Sequence, residues 1–298
     1  MKKILVIGSL NTDFSINVNK IPLPGETVNA QNLLISNGGK GANQAYTIGK
    51  LRGNVTMLGI VGTDIYGKDL IDSLKKVGVN TEFIKESNRN ETGKAFIYVN
   101  PEGENCITII HGANYLVDSH FILEHQKLIE EADIILIQLE IPLDTIQTIL
   151  SLAQGKMILL DPAPANKELM NLDLTNVYLI KPNETELQTL TSMPTDTIEH
   201  TVIAAQSLIA KGIKNVIVSL GSKGSLLVSQ KEAYLIDALP VKAIDTTAAG
   251  DSFIASIALK LSMGETLIEA IKFATKVASI VVTQKGAQAA IPELEDIR

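Results

Sequence analysis

The chain is poor in the residues that build disulfides and metal centres. Its 298 residues include no Trp, one Cys and four His, and only 4% are aromatic. Because Cys106 is alone, no intrachain disulfide can form, and we predict a reducing, cytoplasmic setting. We expect Cys106 itself to be a half-buried packing residue. The histidines show no metal-ligand spacing, which argues against a histidine-based metal site.

The chain also lacks an excess of basic residues and any long hydrophobic run. With 26 Lys and Arg against 33 Asp and Glu, its net charge is −7. Nucleic acid is therefore not an expected partner, because binding it normally requires a basic face. The apolar run Ile4–Ile7 ends at Gly8 and is far too short for a signal peptide or a membrane span, so no membrane partner is expected either.

What the chain does have is an alternation of short apolar runs with helical patterns. Near-continuous Val, Ile and Leu segments separated by helices indicate a parallel sheet covered on both faces. We predict one α/β domain over residues 1–298, built on a large Rossmann-like, doubly wound, mostly parallel sheet. The predicted strands are Ile4–Ile7, Val55–Val61, Ile134–Leu139, Met157–Asp161, Val177–Ile180, Asn215–Leu220 and Ser225–Ser229. The predicted helices are Gly41–Leu51, Tyr66–Lys76, Leu143–Ala153, Asn183–Thr191, Ile198–Lys211, Gly250–Met263 and Leu267–Thr283.

Two segments interrupt this alternation. Residues 14–34 alternate polar and apolar side chains around Pro22, Pro24 and Gly25, which predicts strand, turn and strand. Residues 93–110 contain two apolar runs around a Pro-Glu-Gly turn, which predicts a β-hairpin. Since these strands cannot join a parallel core, we expect a small separate sheet. A surface hairpin without any part in function is the alternative.

The segment from Asp245 to Asp251 (Asp-Thr-Thr-Ala-Ala-Gly-Asp) precedes a strongly helical run. Small residues and a glycine at a helix N-terminus leave backbone N–H groups free to bind phosphate or a developing oxyanion. Asp251 falls in the first turn, where a carboxylate can take a proton from a hydroxyl group. An anion hole beside a base is what phosphoryl transfer to an alcohol requires. An ordinary helix start with an acidic first turn is the alternative interpretation.

A second glycine-rich turn, at residues 37–45 (Asn-Gly-Gly-Lys-Gly-Ala-Asn-Gln-Ala), opens another helix. It lacks the spacing of a Walker A loop, and Gly8 has no G-x-G-x-x-G continuation, so neither nucleotide fingerprint is present. The glycines would let the backbone approach a ligand closely, and Asn43 can both donate to and accept from sugar hydroxyls. A plain tight turn is the alternative.

Together, these two motifs resemble the signatures of the PfkB-type, ribokinase-like sugar kinases. The N-terminal signature matches residues 38–45, the C-terminal one matches residues 245–253, and the resemblance extends from Gly8 to Gln288. It implies that the small sheet is a lid over the sugar and the contact of a homodimer. Excluding water under such a lid would suppress ATP hydrolysis.

The resemblance also implies roles for individual residues around the sugar. Asp251 would be the base, with the backbone N–H groups of Ala248, Ala249 and Gly250 as the anion hole. The implied sugar contacts are Asn11, Asp13, Gly39, Asn43 and Glu140. Asn11, Asp13 and Glu140 also follow predicted strands at the carboxyl edge, where open α/β sheets bind ligands, although a solvated strand-end carboxylate is the alternative for Glu140. Lys40 lies in the same substrate-side signature, with a solvated or structural role favoured over phosphate binding.

On the nucleotide side, the run from Lys181 to Glu186 resembles the N-x-x-E motif of the family. The resemblance implies that Asn183 approaches the ATP phosphates and that Glu186 organises water around Mg²⁺, while acidic residues at a helix start are the alternative. The turn from Ser219 to Gly224 would border ATP, although a simple hairpin turn explains it almost as well. The implied ATP-binding residues are Asn183, Glu186, Ser219, Gly221, Ser222, Gly224 and Gly250.

Family members often carry an activating monovalent cation, K⁺, beside the anion hole. The matching positions are Asp245 and Thr247 on one side and the backbone carbonyls of Val281, Gln284 and Gly286 on the other. The chain departs from the family at Ala290, where a hydroxyl residue is usual, and a water could fill the missing position. The sequence therefore predicts an ATP-dependent sugar kinase, with ribose as the expected substrate. The alternatives are deoxyribose or another sugar or nucleoside, and a catalytically silent sugar-binding regulator.

Overall fold

Strands and helices alternate along most of the chain, and the computed structural model describes residues 1–297. The strands are β1 (Ile4–Ile7), β2 (Asn11–Val18), β3 (Ala30–Gly38), β4 (Val55–Gly62), β5 (Ile84–Ser87), β6 (Gly93–Val99), β7 (Asn105–Ile110), β8 (Ile134–Gln138), β9 (Met157–Asp161), β10 (Val177–Ile180), β11 (Asn215–Ser219), β12 (Ser225–Ser229) and β13 (Ala233–Ile236). The helices are α1 (Lys40–Lys50), α2 (Ile65–Lys76), α3 (Ser119–Glu124), α4 (Gln126–Glu131), α5 (Leu143–Leu152), α6 (Glu184–Thr191), α7 (Ile198–Ala210), α8 (Ala249–Ser262) and α9 (Leu267–Val281).

The large sheet has nine strands in the order β13-β12-β11-β10-β9-β8-β1-β4-β5. Strand β1 pairs in parallel with β4 on one side and with β8 on the other. The pairs β11–β12 and β12–β13 are antiparallel, so the sheet is mostly parallel, as predicted. The chain leaves β1 toward one edge and later returns to build the other. This reversal between β1 and β8 creates a crevice beyond the carboxyl ends of the strands.

Helices cover both faces of this sheet, which confirms the doubly wound prediction. Within β8, Ile135 and Ile137 face one layer, while Ile134 and Leu136 face the other. The first layer contains α3, α5, α6 and α7, and the second contains α1, α2, α8 and α9. Each fully buried Ile or Leu contributes about 1.5–3 kcal/mol relative to exposure, so two continuous apolar layers hold the strand ends rigidly in place.

The four-stranded small sheet has the order β3-β2-β6-β7 and comes from the two interrupting segments. Strand β2 pairs with β3 in antiparallel and with β6 in parallel orientation. Phe14 and Phe96 stack across β2 and β6 with ring centroids 5.1 Å apart. The bounds differ from those predicted, because β2 begins at Asn11 and β3 ends at Gly38. The small sheet therefore extends into the crevice of the large one.

Some features of the fold were not predicted. Strands β5 and β13 are four residues long and largely exposed, and helices α3 and α4 have six residues each, so none carries a strong periodic signal. The expected packing role of Cys106 is wrong, since this side chain lies exposed on the edge strand β7. None of the helices within residues 1–297 has the length and apolar character that crossing a membrane requires.

Candidate active site

The crevice beyond β1 and β8 brings together segments that are far apart in the sequence. The connection between β1 and β2, Glu140 shortly after β8, Asp161 at the end of β9 and Lys181 directly after β10 all reach it. The N-termini of α1 and α8 close it from the second layer. Since each segment is anchored by a buried strand or helix, the polar groups between them are held in fixed positions.

The N-terminus of α8 has the geometry of an exposed turn. Ala248 is its N-cap residue, has the left-handed backbone conformation with φ 59°, and makes no side-chain capping bond. A non-glycine residue in this region costs on the order of 1–3 kcal/mol, and such conformations concentrate at functional sites. The N–H group of Ala249, predicted for the anion hole, donates to the carbonyl of Thr246 at 3.2 Å.

Asp251 is buried in the first turn of α8, and two amides of α1 hold its carboxylate. Asn43 Nδ2 donates to Oδ2 at 2.9 Å, and Gln44 Nε2 donates to Oδ1 at 3.4 Å. Asn43 Oδ1 is buried without a protein partner among the described residues, so it remains available as an acceptor. The predicted pairing of the two motifs in one site therefore has a direct contact, from Asn43 to Asp251.

Beneath Asp251 lies a buried polar network that the sequence did not suggest. Gln138 Nε2 donates to Gln44 Oε1 at 2.5 Å, and Gln44 Nε2 also donates to Asp161 Oδ2 at 3.1 Å. The Lys181 ammonium lies 3.3 Å from Asp161 Oδ1 and 3.4 Å from the carbonyl oxygen of Gly250. Asp161 ends β9 and Lys181 follows β10, so the strand-end rule that selected Glu140 could have selected both.

The network contains positive charges whose effects on the pKa of Asp161 counteract the effect of burial. Burial raises the pKa of Asp161 above its ordinary value, while the positive charges of Lys181 and Lys40 act to lower it. The side chains of Asp161 and Lys181 are only 1% and 6% exposed, so removing either partner would leave an uncompensated buried charge. The pair fixes the backbone of Gly250 from below.

Asp13 lies on β2 next to the carboxylates of the crevice. Burial raises its pKa to about 7, and the negative charges of Glu140 and Asp251 add to this effect, whereas Lys40 opposes it. A Cβ on Gly38 would lie 2.1 Å from Asp13 Oδ2, so the neighbouring strand leaves no room beside the carboxylate. Asp13 is therefore held close to other acids at an energetic cost.

Glu140 is buried, so the alternative of a solvated strand-end carboxylate is wrong. Its Oε2 accepts hydrogen bonds from Ser9 Oγ at 2.5 Å and from the backbone N–H of Lys40 at 3.1 Å. Asn11 Nδ2 lies 3.5 Å from the same oxygen. Ser9 was not predicted, although it lies only two residues before Asn11. Glu140 thus ties the β1–β2 connection to the N-terminus of α1.

Gly39 lets α1 begin against this connection. It has φ +86°, and a Cβ there would lie 2.5 Å from the backbone nitrogen of Asn11. Only glycine satisfies both the conformation and the close approach, which explains the glycine-rich turn physically. A side chain at Gly39 would separate Asn11 from α1.

Lys40 is partly buried at the start of α1, in the field of several carboxylates. Burial alone would lower the pKa of Lys40, but the negative charges of Asp251, Glu140, Asp161 and Glu186 raise it above its ordinary value. Lys40 therefore carries its positive charge next to the acids of the crevice. Its environment is assembled from four distant segments, which is why one sequence motif could not reveal it.

The residues predicted for the nucleotide lie at the next strand ends. Asn183 and Glu186 form a capping box at the start of α6, with bonds of 2.7 and 2.8 Å, so both have a structural role there, and their role at the nucleotide stays a prediction. The charge of Glu186 nevertheless acts on Lys40 and Asp161, which places it at the same crevice. Ser219 bridges to Asn183. Residues 221–223, including Ser222, form a 3-10 turn between the antiparallel strands β11 and β12, followed by Gly224 with φ 99°.

The structure also joins part of the predicted cation site. Asp245 Oδ1 accepts from the N–H and hydroxyl of Thr247 at 2.9 and 2.6 Å, and Oδ2 accepts from the N–H of Gly286 at 2.9 Å. Partial burial would raise the pKa of Asp245, but these hydrogen bonds lower it below its ordinary value. The carbonyl of Val281 accepts from the N–H of Gln284 at 3.0 Å. Asp245 therefore connects the loop that precedes α8 to the segment that follows α9.

Comparison with known proteins gives one consistent family. The model of the "pfkB family carbohydrate kinase" matches residues 1–294. The chain is 38% identical to the deoxyribokinase of Salmonella typhi over 294 residues, covering 98% of this chain and 96% of that protein. It is 37% identical to the ribokinase of Schizosaccharomyces pombe over 309 residues, covering 100% and 97%. The solved structure of Arabidopsis thaliana ribokinase with ribose and ATP superposes with a TM-score of 0.91 at 32% identity, covering 99% of this chain and 97% of that one.

Proposed function

The chain belongs to the pfkB family of carbohydrate kinases, and from this premise we propose that it transfers the γ-phosphoryl group of ATP to the 5-hydroxyl of D-ribose. The products are ribose 5-phosphate and ADP. The observation that carries the proposal is the buried carboxylate of Asp251, which Asn43 and Gln44 hold in the first turn of α8 beside the acids of the crevice. A general base in that position can accept the hydroxyl proton as the phosphoryl group arrives.

The sugar contacts are proposed for Asn11, Asp13, Gly39, Asn43 and Glu140, which line the crevice above Asp251. Asn43 Oδ1 has no protein partner within residues 1–297, and this supports the role, because such a buried acceptor fits a sugar hydroxyl. We propose that Lys40, a cation surrounded by carboxylates, balances their charge and faces the phosphates. The backbone of Ala248 and Gly250 would receive the charge that builds on the transferring oxygens. Ala249 would contribute only if its bond to Thr246 opens.

The nucleotide would lie along the ends of β10 and β11, against Asn183, Ser219, Gly221, Ser222 and Gly224. Mg²⁺, which the family implies, keeps several waters and needs few direct carboxylates. Glu186 fits this requirement. Its Oε2 accepts from the backbone N–H of Asn183 at 2.8 Å, and its negative charge acts on Lys40 in the crevice. When bound, the metal ion would neutralise phosphate charge.

The test is an ADP-release assay with ribose, 2-deoxyribose, fructose and adenosine in the presence of Mg-ATP. We expect kcat/KM for ribose to exceed that for 2-deoxyribose by at least ~10-fold, because a lost hydroxyl leaves buried polar groups unpaired. A preference for 2-deoxyribose would make the chain a deoxyribokinase, which the Salmonella relative keeps as the second candidate. Absence of ADP release with every acceptor would favour the catalytically silent regulator.

We propose an activating K⁺ held by Asp245 with carbonyls of Val281, Gln284 and Gly286. The donor set is all oxygen, which suits such a cation, but Thr247 and Gly286 already occupy the carboxylate and Ala290 contributes no hydroxyl. We expect replacement of Na⁺ by K⁺ to raise kcat several-fold, on the order of the electrostatic effect of a nearby cation. Ala290→Ser should lower the K⁺ concentration that gives half-activation.

The matched control for this titration is Ala289→Ser, which adds the same hydroxyl at an exposed neighbouring position. It should leave the K⁺ dependence unchanged. Full activity in a buffer that contains neither ion would contradict the cation proposal. In that case the Asp245 contacts with Thr247 and Gly286 would be sufficient to shape the loop.

We further propose that the small sheet is the lid and the contact of a homodimer in the cytoplasm. Large apolar side chains on its edge strands support this assembly, since exposed Leu and Ile side chains on unpaired strands are costly in water. These side chains are Leu33, Leu34 and Ile35 on β3 and Ile107 and Ile110 on β7. A second copy of the chain would cover them and stiffen the lid.

A further inference from the structure

Asn114 is a fully buried amide at the junction of the two sheets, and the proposed chemistry does not use it. It lies in the 3-10 turn Gly112–Leu116, just after β7. Its Oδ1 accepts from the backbone N–H of Leu10 at 2.9 Å, and its Nδ2 donates to Asn11 Oδ1 at 2.7 Å and to the Leu10 carbonyl at 3.4 Å. A buried amide with this many contacts holds a single orientation.

These contacts also determine the orientation of Asn11. A backbone N–H can only donate, so the Asn114 atom that faces Leu10 is the carbonyl oxygen. The NH₂ group of Asn114 then faces Asn11, whose oxygen accepts from it. Asn11 Nδ2 consequently points to the other side, where it lies 3.5 Å from Glu140 Oε2. Asn11 therefore presents a hydrogen-bond donor next to a carboxylate acceptor.

We propose that Asn114 is a positioning residue that sets which atom of Asn11 faces the sugar, and thereby determines recognition of one sugar hydroxyl. The inference rests on the proposed function, in which Asn11 and Glu140 contact the sugar. A hydroxyl oxygen placed between them accepts from Asn11 Nδ2 and donates its own proton to Glu140. A sugar without that hydroxyl leaves both groups unpaired.

The first residue of β6 supports this arrangement from the lid side. A Cβ on Gly93 would lie 2.1 Å from Asn11 Oδ1 and 2.3 Å from Asn114 Nδ2. The backbone of Gly93 thus packs directly on the hydrogen bond between the two amides. Gly93→Ala would push them apart without changing either amide, which provides a second, independent perturbation.

The primary test is Asn114→Asp. Its carboxylate still accepts from Leu10, but it cannot donate to Asn11, so Asn11 must turn its NH₂ group toward Asp and its oxygen toward Glu140. We expect KM for ribose to rise about 10-fold or more, as for a lost buried hydrogen bond, with kcat and KM for ATP within about threefold of wild type. Kinetics with 2-deoxyribose, 3-deoxyribose and 1,4-anhydroribitol, each of which keeps the 5-hydroxyl, then identify the recognised hydroxyl. The discrimination against the sugar that lacks it should fall about 10-fold.

The matched control is Asn90→Asp, which removes an exposed amide that donates to Gly112 in the same turn at 3.1 Å. It should leave KM and discrimination unchanged. In an Asn11→Ala background, adding Asn114→Asp should change KM for ribose by less than about twofold, because the two residues act as one unit. Gly93→Ala should reproduce the loss of discrimination with the wild-type Asn114 in place.

Two results would overturn the inference. If Asn114→Asp raises KM for ribose equally in the wild-type and Asn11→Ala backgrounds, Asn114 does not act through Asn11, and the proposed sugar contacts still stand. If Asn11→Ala itself leaves KM for ribose unchanged while ribose is phosphorylated, the assignment of Asn11 to the sugar fails and the inference fails with it. Melting temperatures of all variants separate these outcomes from unfolding. Should Asn114→Asp not fold, Gly93→Ala alone decides between retained and lost discrimination.

Discussion

Asp251→Asn is expected to lower kcat by at least ~10², the lower end of the effect of losing a general base, while KM for ribose changes little. The amide has the same shape as the carboxylate but cannot accept the hydroxyl proton at neutral pH. Its NH₂ group would also face either Asn43 or Gln44, both of which donate to the wild-type carboxylate. Single-turnover kinetics with ribose and Mg-ATP measure the chemical step directly.

Asp144→Asn is the matched control, because Asp144 is an exposed acid in the first turn of α5. It makes the same chemical change at a helix start and should leave kcat within about twofold, since its effect is limited to the helix dipole. Asp251→Ala tests whether a clash of the new amide with its neighbours contributes. Turnover of Asp251→Asn within tenfold of wild type would show that another group takes the proton.

Asp13→Asn is expected to make the protein more stable at alkaline pH and at the same time a poorer sugar binder. The pKa of Asp13 is raised from 3.8 to about 7 by burial and by Glu140 and Asp251. The folded state holds the Asp13 proton more tightly than the unfolded state does. The resulting stabilisation is fully present below the unfolded pKa of 3.8 and is lost as the pH rises through the folded pKa of about 7. Wild type should therefore lose stability between pH 5 and 8 relative to Asp13→Asn, by on the order of 2–3 kcal/mol.

Urea unfolding of both proteins at pH 5 and pH 8 measures this difference, since other titrating groups cancel in the comparison. Asp69→Asn, on the exposed side of α2, is the control and should show no such divergence. An equal effect of Asp13→Asn at the two pH values would contradict the raised pKa. Ribose binding should weaken by about 1–3 kcal/mol, measured as a rise in KM, because a neutral amide accepts fewer hydrogen bonds from hydroxyl groups than a carboxylate does.

The sequence was sufficient for much of the fold because buried strands have a distinctive composition. β1, β9, β10 and β12 have the predicted bounds, since each is an uninterrupted or nearly uninterrupted apolar run closed by a polar or turn residue. Short exposed elements such as β13 have no such signal, because their strand conformation comes from pairing with β12 rather than from their own residues. A local sequence pattern therefore predicts an element well only where the burial of its own residues determines its conformation.

The candidate site likewise has parts that the sequence reveals and parts that appear only in the folded chain. The two glycine-rich motifs could be found because each lies within a few consecutive residues. Gln44 and Asp251 are 207 positions apart, and their contact is a product of how α1 and α8 pack. The charge on Lys40 and the raised pKa of Asp13 depend on carboxylates from several segments. The combined electrostatic effect of these carboxylates arises only after folding, so no single stretch of sequence predicts it.

The continuity of β2 has a consequence for the order of events in a catalytic cycle. Asn11 and Asp13 belong to the first residues of a strand that runs on into the small sheet, so the groups proposed to hold the sugar and the cover above it are one piece of backbone. In the proposed lid, displacing the small sheet would loosen the sugar, and a bound sugar would draw the small sheet inward. Entry and exit of the sugar would then be coupled to the motion of this sheet, so a crosslink that immobilises it should retain ribose that is already bound and exclude ribose that is not.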